Sequence, residues 1–224
     1  RPGPVWLDIP INIQAALNDE KKLKGFNAPQ TPKYNLKIKE TLKALSNAKS
    51  PLIAAVHGIR LAGAEKEFYT LAKKLNIPVV STFNGFDLIP SNDPLFAGRI
   101  GTVGQRAGNF ALQNADVILF LGTRNNIRQA SYNYENFAKK AKKIIVDIDE
   151  AELKKPTVKP DIPVLADLKE FIKALNAQAK PLKVKSWLDW CGKNIKKYTP
   201  LSEFKINLNE RPNPYQAAKM ITEL

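Results

Sequence analysis

Small and polar residues follow several short apolar runs of this 224-residue chain, and their types suit a phosphate-bearing ligand. Gly58, Thr82, Gly122 and Asp147 each lie at the end of such a run. A glycine lets the main chain approach a ligand closely, whereas hydroxyl and carboxylate oxygens accept hydrogen bonds from sugar hydroxyls. Residues of this kind, repeated after successive apolar runs, are candidates for a binding edge rather than for a core.

The segment Gly101-Thr102-Val103-Gly104 precedes a predicted helix that begins at Gln105. Its free backbone N–H groups and the helix dipole could hold a phosphate. Arg124 and Arg128 would add charge-assisted hydrogen bonds to a diphosphate. Asp147 could accept hydrogen bonds from ribose or ribityl hydroxyls, so these residues together predict an extended dinucleotide that lies across strand ends.

Each of these features also has a purely structural interpretation. Glycines after strands are needed to turn the chain, and Asp147 and Asp149 could cap the turn that follows them. Arg124 and Arg128 could pair with carboxylates of a neighbouring domain. Only the combination of these residues at one edge of one sheet favours a ligand.

The elements that must position these residues alternate between strand and helix from residue 51 to residue 176. Continuous apolar strands separated by helical crossovers indicate a parallel sheet that is covered on both faces. We therefore predict an α/β fold, a Rossmann-like doubly wound parallel sheet, whose ligands bind beyond the carboxyl ends of the strands. The predicted strands are 52–56, 78–82, 117–121, 143–148 and 162–165, and the predicted helices are 62–75, 105–114, 133–140 and 168–175.

The two ends of the chain look like parts of elements that continue elsewhere. Val5 to Pro10 has the composition of a strand with nowhere obvious to pair, and Asn213-Pro214 opens an amphipathic helix. A helix near Lys37 to Ala48 precedes the first strand of the sheet, and another lies near Trp187 to Tyr198. We expect this chain to be a piece of a longer polypeptide.

Composition excludes several classes of protein. One cysteine and one histidine cannot build a disulfide or a Cys/His zinc site, and a reducing, cytoplasmic location follows as the expectation. The net charge of +14 is distributed along the whole chain with acids in every part, which indicates a solvated surface rather than a nucleic-acid interface. No apolar run approaches the roughly 20 residues of a membrane span, so we expect neither membrane nor nucleic acid as a partner.

Six sequence blocks, in order along the chain, resemble acetolactate synthase-type enzymes that depend on thiamine diphosphate. The first, Arg1 to Gln14, resembles the segment that closes the first domain of these enzymes. The others resemble their central domain, and the match as a whole covers nearly the whole chain. They are Asn76 to Gly85, Pro90 with Asp93 to Gly98, Gly101 to Gly104, Asn109 to Arg124, and Ile144 to Asp149.

The resemblance implies a division of the chain. Residues 1–14 would end a preceding pyrimidine-binding domain, 15–50 would be a linker with an entry helix, and 51–176 would be the Rossmann-like central domain. Residues 177–212 would be a second linker, and 213–224 would begin a diphosphate-binding domain.

The resemblance also implies what the parent enzyme does. Thiamine diphosphate and Mg²⁺ would be bound by the first and third domains across a dimer interface, and the parent would be a homodimer or homotetramer. Its substrate would be a 2-oxo acid, which is decarboxylated or joined to a second carbonyl compound. This chain would supply no catalytic residue and no metal ligand, and we expect it to be inactive alone.

The central domain of such enzymes binds FAD in some members, ADP in others and no ligand in the rest. Three glycines follow the first strand in flavin-binding members, whereas this chain has Val56-His57-Gly58. A non-catalytic nucleotide-binding module of the same fold is the alternative function. Carrying the flavin-binding pattern onto this chain places these residues at ligand-facing positions: Gly58, Thr82, Phe83, Gly101, Gly104, Gly122, Arg124, Arg128, Asp147, Ile148 and Asp167.

Overall fold

The computed structural model describes residues 3–27, 32–199 and 213–222. Residues 200–212 of the predicted 177–212 linker and residues 28–31 of the predicted 15–50 linker therefore lie outside the described residues. By their internal contacts the residues form two units, Arg1–Tyr34 and Asn35–Leu224.

The first unit contains little regular structure. It has the short helix α1 (Ile11–Gln14) and a 3₁₀ turn at Glu20–Lys22, and its described side chains are mostly exposed. Residues 3–10 form neither helix nor strand, so the predicted strand at Val5 to Pro10 is wrong for this unit. A strand needs a neighbour for its backbone groups, and among the described residues none pairs with this segment.

The second unit contains a six-stranded sheet in which every pair of neighbours is parallel. In chain order the strands and helices are α2 (Ile38–Ser46), β1 (Pro51–Ala55), α3 (His57–Leu61), α4 (Glu65–Leu75), β2 (Val79–Ser81), β3 (Phe96–Arg99), α5 (Arg106–Asn114), β4 (Val117–Leu121), α6 (Ile127–Ala130), β5 (Lys142–Asp147), α7 (Glu150–Lys154), β6 (Ile162–Leu165), α8 (Leu168–Gln178), α9 (Lys185–Lys197) and α10 (Pro214–Thr222).

The spatial order of the strands is β3-β2-β1-β4-β5-β6. The chain builds outward from β1 to β3, then crosses to the other side of β1 and builds outward again from β4 to β6. This is the doubly wound order, and the gap between β1 and β4 is its topological switch point. The predicted α/β Rossmann-like fold is confirmed.

Every residue of the central strands β1 and β4 is buried, which shows that both faces of the sheet are covered. Helices α4 and α8 pack together, and so do α5 and α9. In α4 the buried residues follow the helical repeat, with Phe68, Leu71, Ala72 and Leu75 forming one apolar stripe. Helix α8 repeats this spacing with its own four buried residues. These stripes remove the helices' apolar surface from water and fix them on the sheet.

Two predicted helices differ from those observed, and one observed strand was not predicted. The helix expected at 62–75 begins at Glu65, because Gly63 adopts a left-handed φ of +56° after the separate helix α3. The helix expected at 133–140 is only a 3₁₀ turn at Tyr134–Asn136, since Ala138 has a φ of +47° that no helix tolerates. Strand β3 was not predicted from the sequence.

Candidate functional site

Gly58 and Gly122 meet at the switch point, where β1 and β4 end. A Cβ atom added to Gly58 would lie 2.8 Å from Cα of Gly122, and one added to Gly122 would lie 3.0 Å from Cα of Gly58. Gly122 has a φ of +74° and its N–H donates to the carbonyl of Val146. The chain's own main-chain packing at the crevice therefore requires both glycines.

The loop from Gly101 to Gly104 follows β3 and leads into α5. Gly101 has a φ of +122°, which favours glycine. A Cβ on Gly104 would lie 2.6 Å from the carbonyl oxygen of Arg99, so this glycine also allows the main chain to fold closely on itself. We call residues Gly101 to Gly104 the glycine loop.

The amides at this loop donate within the chain. Gly101 N–H donates to Oδ1 of Asn109, and Thr102 N–H donates to the carbonyl of Arg128. Gly104 N–H donates to the carbonyl of Gly101, at 3.0 Å, and the next amide, of Gln105, donates to the carbonyl of Arg99. The prediction that these backbone groups are free for a phosphate is therefore wrong for these four amides in this conformation.

Arg124 pairs with a carboxylate of its own chain. Its Nε lies 2.8 Å from Oε1 of Glu152, whose other oxygen lies 2.9 Å from Nζ of Lys155. Burial raises the pKa of the Glu152 carboxyl, but hydrogen bonds from Lys155 and Arg124 outweigh burial and hold the pKa below its usual range. The hydrogen bond to Glu152 in turn raises the pKa of Arg124. The sequence allowed Arg124 to pair with a carboxylate of a neighbouring domain. In the structure its ion-pair partner is Glu152 of the same domain.

Arg128 is exposed on the short helix α6. Its N–H donates to the side chain of Asn126, which caps that helix, and its carbonyl accepts from both the N–H and the hydroxyl of Thr102. The backbone of Arg128 is therefore fixed, while its guanidinium is presented to solvent. It is the predicted phosphate-binding group that this geometry leaves most accessible.

Asp147 and Ile148 follow one another at the end of β5. The Asp147 side chain is buried and its Oδ1 accepts from the N–H of Asp149, at 3.0 Å. Asp149 caps α7 by accepting from Ala151 N–H. The capping interpretation is thus confirmed for Asp149, whereas Asp147 binds the N–H of the capping residue rather than one of the helix. Ile148, 46% exposed, projects an apolar side chain at the same strand end.

Thr82 and Phe83 follow β2, and Asp167 follows β6. Thr82 is buried, with its N–H donating to Ala55 and its carbonyl accepting from Gly85. Phe83 is 76% exposed. Asp167 caps α8 by accepting from Glu170 N–H at 3.0 Å.

Ten of the eleven predicted residues follow the carboxyl ends of strands, and the other, Asp147, is the last residue of β5. The structure brings Gly58 against Gly122 and Gly101 against the carbonyl of Arg128, where an added Cβ would lie 2.8 Å away. That the eleven residues contact a ligand stays a prediction.

Sequence reasoning missed the residues that hold this edge in shape. Asn109 accepts from Gly101 N–H and donates to the Gly101 carbonyl, both at 3.0 Å. Glu152 binds Arg124 from a different element. Asn125, with a φ of +40°, lies buried beside Thr123, and its amide nitrogen has no hydrogen-bond partner among the described residues. Of these, only Asn109 had a sequence signal, its place in the predicted helix after the glycine loop.

The fit of this edge to a dinucleotide is partial. The Arg128 side chain suits a diphosphate, and so does that of Arg124, for which a diphosphate would compete with Glu152. The exposed side chains of Phe83 and Ile148 suit an aromatic ring. As folded, the glycine loop offers a diphosphate little, because the amides of Gly101, Thr102 and Gly104 are already bonded within the chain.

A separate open cleft of about 290 Å³ lies beside β6 and α7, with Lys37, Leu153 and Leu165 among its lining residues. None of the eleven predicted residues lines it. Across residues 3–27, 32–199 and 213–222, no three His, Cys, Asp or Glu side chains are grouped to hold a metal ion. Within that same part of the chain, no helix has the length and apolar character that a membrane span requires.

Comparison with known proteins identifies this arrangement. Residues 38–175 match the family described as thiamine pyrophosphate enzyme, central domain. The probable acetolactate synthase large subunit of Methanocaldococcus jannaschii is 34% identical over 233 aligned positions, covering 100% of this chain and 39% of that protein. The acetolactate synthase large subunit of Lactococcus lactis is 35% identical with the same coverage of each.

A third relative, the probable acetolactate synthase large subunit of Methanococcus aeolicus, is 38% identical over 79% of this chain and 31% of its own length. The chain thus spans 31% to 39% of the length of these relatives. The family match covers the whole sheet from β1 to β6. The chain belongs to the central-domain family of thiamine pyrophosphate enzymes, and is similar throughout to acetolactate synthase large subunits.

Proposed function

We propose that this chain works as the central domain of a longer, acetolactate-synthase-like enzyme that acts on a 2-oxo acid by decarboxylation or carboligation. The observation that carries the proposal is the family match over residues 38–175, which coincides with the doubly wound sheet. The small share of the relatives' length that the chain spans supports a longer polypeptide.

In this proposal the chemistry is supplied by thiamine diphosphate, which provides a carbanion equivalent for attack on the 2-oxo group. Thiamine diphosphate and Mg²⁺ would be bound by other domains of the polypeptide. The described residues supply no metal cluster, and their part is to hold those domains in place. The parent would be a cytoplasmic homodimer or homotetramer, and this chain alone would be inactive.

The coding sequence on either side of these residues tests the proposal. We expect a Gly-Asp-Gly motif followed by an asparagine within some hundred-odd residues downstream, the typical length of a further domain. Upstream we expect a domain with a glutamate that activates the aminopyrimidine ring of thiamine diphosphate. A reading frame that encodes neither would contradict the proposed function and leave the fold assignment intact.

We further propose FAD or ADP as the ligand class of this domain. The support is geometric: the switch point is the position at which doubly wound sheets bind nucleotides, and Arg128 lies exposed at that edge. The same support carries the alternative function, a non-catalytic nucleotide-binding module. The flanking coding sequence distinguishes the two functions, because only the enzyme requires both further domains.

Titration with FAD and ADP tests the ligand. FAD binding is followed by quenching of flavin fluorescence and ADP binding by calorimetry. We expect saturable binding that Arg128→Ala weakens at least tenfold, because a charge-assisted bond to phosphate contributes about 1.5 to 3 kcal/mol. Lys180→Ala removes an exposed cation beyond the far end of α8 and should change nothing. The absence of saturable binding by either nucleotide would leave a purely structural domain.

A further inference from the structure

The glycine loop is bonded to two other segments of the fold. On one side Asn109, from α5, holds Gly101 through a pair of hydrogen bonds of 3.0 Å. On the other side the carbonyl of Arg128, from α6, accepts from Thr102 N–H at 2.9 Å and from its hydroxyl at 3.2 Å. The loop is thus tied both to the helix that follows it and to a segment that follows a different strand.

These ties join opposite sides of the switch point. The glycine loop follows β3 and α6 follows β4, and β2 and β1 lie between those strands. Neighbouring strands are about 4.8 Å apart, so the two segments leave the sheet roughly 14 Å from each other. For Thr102 to bond to Arg128, the segments must converge across the carboxyl ends of β2 and β1.

Glycine packing makes the loop a tight one. Besides Gly104 against Arg99, a Cβ on Gly98 would lie 2.6 Å from the nitrogen of Gly108, and one on Gly108 would lie 2.7 Å from the nitrogen of Arg99. Strand β3, the glycine loop and α5 are therefore in main-chain contact. Such a loop has little room to re-aim its amides at a ligand.

We propose that the glycine loop is a closed strap across the switch point rather than a phosphate cradle. It withholds the amides of Gly101, Thr102, Gly104 and Gln105 from any ligand. Through the Arg128 carbonyl it also positions the segment that carries the Arg128 side chain. A diphosphate at this edge is then held by arginine side chains rather than by these four amides. The ligand half of this inference rests on the proposed FAD or ADP ligand, whereas the closed strap does not.

Amide hydrogen exchange on the ligand-free chain tests the strap. In the unmodified protein, the amides of Gly101, Thr102, Gly104 and Gln105 should exchange at least 100-fold more slowly than in an unstructured peptide. Asn109→Ala removes both bonds to Gly101 and should speed their exchange tenfold or more. Exchange at peptide-like rates in the unmodified protein would overturn the inference.

Asn114→Ala is the matched control, because Asn114 lies on the same helix and its side chain donates to the carbonyl of Phe110 within that helix. It should leave exchange in the glycine loop unchanged. Thr102→Ala removes one exposed hydroxyl, so it keeps the test available should Asn109→Ala fail to fold. It should speed exchange of the loop amides by threefold or more, and an unchanged rate in this variant would also overturn the strap.

Exchange at saturating ADP then tests the ligand half. We expect the rates of the four loop amides to change by less than twofold, because the phosphates do not bond to them. A tenfold slowing on ADP binding would show that the amides are recruited and would overturn this half. If no saturable ADP or FAD binding occurs, the proposed ligand fails, while the ligand-free experiment still decides whether the strap is closed.

Discussion

Gly58 and Gly122 are in main-chain contact at the gap between β1 and β4, where a Cβ on either residue would lie 3.0 Å or less from the Cα of the other. The contact joins the two halves of the doubly wound sheet at the position where ligands of such folds bind. The sequence patterns predict that these two glycines let the main chain approach a ligand. The structure shows that the packing of the fold itself already requires both of them.

Gly58→Ala should therefore destabilise the protein even without a ligand. The added methyl group must displace main-chain atoms of Gly122, and overpacking of this kind costs about 1 to 3 kcal/mol. Urea unfolding measures the loss. Gly192→Ala is the control, because nothing lies within 4 Å of a Cβ at this position in α9, and alanine there should stabilise the helix by roughly 0.5 to 1 kcal/mol. Equal stability of Gly58→Ala and the unmodified protein would refute the contact.

Asp93 should be a source of acid sensitivity. Burial raises the pKa of its carboxyl, but hydrogen bonds from Lys73 and the Tyr69 hydroxyl, together with the Leu95 N–H, outweigh burial and lower the pKa. A lowered pKa in the folded state stabilises the protein above the unfolded value of 3.8, and this contribution is lost as the pH falls through the folded value.

Asp93→Asn should cost about 1 to 3 kcal/mol of unfolding free energy at neutral pH, because it leaves Lys73 without its ion-pair partner. It should also flatten the loss of stability below about pH 4, the region of an unperturbed aspartate. Asp87→Asn breaks a half-exposed pair with Arg60 and should cost less than about 1 kcal/mol. Denaturant titrations at several pH values make the comparison, and an acid profile of Asp93→Asn identical to the unmodified one would contradict the assignment.

The fold was largely predictable from the sequence because the sheet is parallel and buried. Strands β4 and β6 begin and end where their apolar runs do, and β1, β2 and β5 differ from prediction by one residue at each end. Strand β3 has only four residues, with Gly98 at a φ of +106° in its middle, so it lacks both length and the usual composition. Its place in the sheet comes from tertiary pairing with β2.

The place of the candidate site in the fold could be predicted from the sequence, but its contacts could not. Its place follows from topology, since every predicted residue lies at or after the carboxyl end of a strand of a parallel sheet. Contacts such as that of Arg124 with Glu152, which is 28 residues away in sequence, depend on how two loops are placed. The spacing of residues along the chain does not predict how the loops are placed. It therefore does not predict the hydrogen bond between Thr102 and the Arg128 carbonyl either.

The Arg124–Glu152 pair should contribute little to stability. Arg124 is mostly exposed, so a double-mutant cycle with Arg124→Ala and Glu152→Ala should give a coupling of about 0.5 to 1 kcal/mol. The exposed Lys154–Glu150 pair on α7 is the comparison and should give about 0.3 to 0.5 kcal/mol. A coupling above about 3 kcal/mol for Arg124 would show a desolvated pair and a different environment at this edge.

Cys191 should be unreactive in the folded protein. It is the one cysteine of the chain, it is buried on α9, and burial raises the pKa of its thiol to about 12. Because the thiolate is the reactive form, labelling by a thiol reagent at pH 8 should be slow in buffer and complete within minutes in denaturant. Rapid labelling in buffer would mean that α9 does not pack as described, where Trp187 donates to the carbonyl of Pro51 at 2.9 Å.

The most direct test of the central claim is turnover of a 2-oxo acid by the longer polypeptide that carries these residues with their flanking regions. We expect consumption of a 2-oxo acid and release of carbon dioxide that require added thiamine diphosphate and Mg²⁺, and neither from residues 1–224 alone. A longer polypeptide that folds, binds thiamine diphosphate and still consumes no 2-oxo acid would contradict the account.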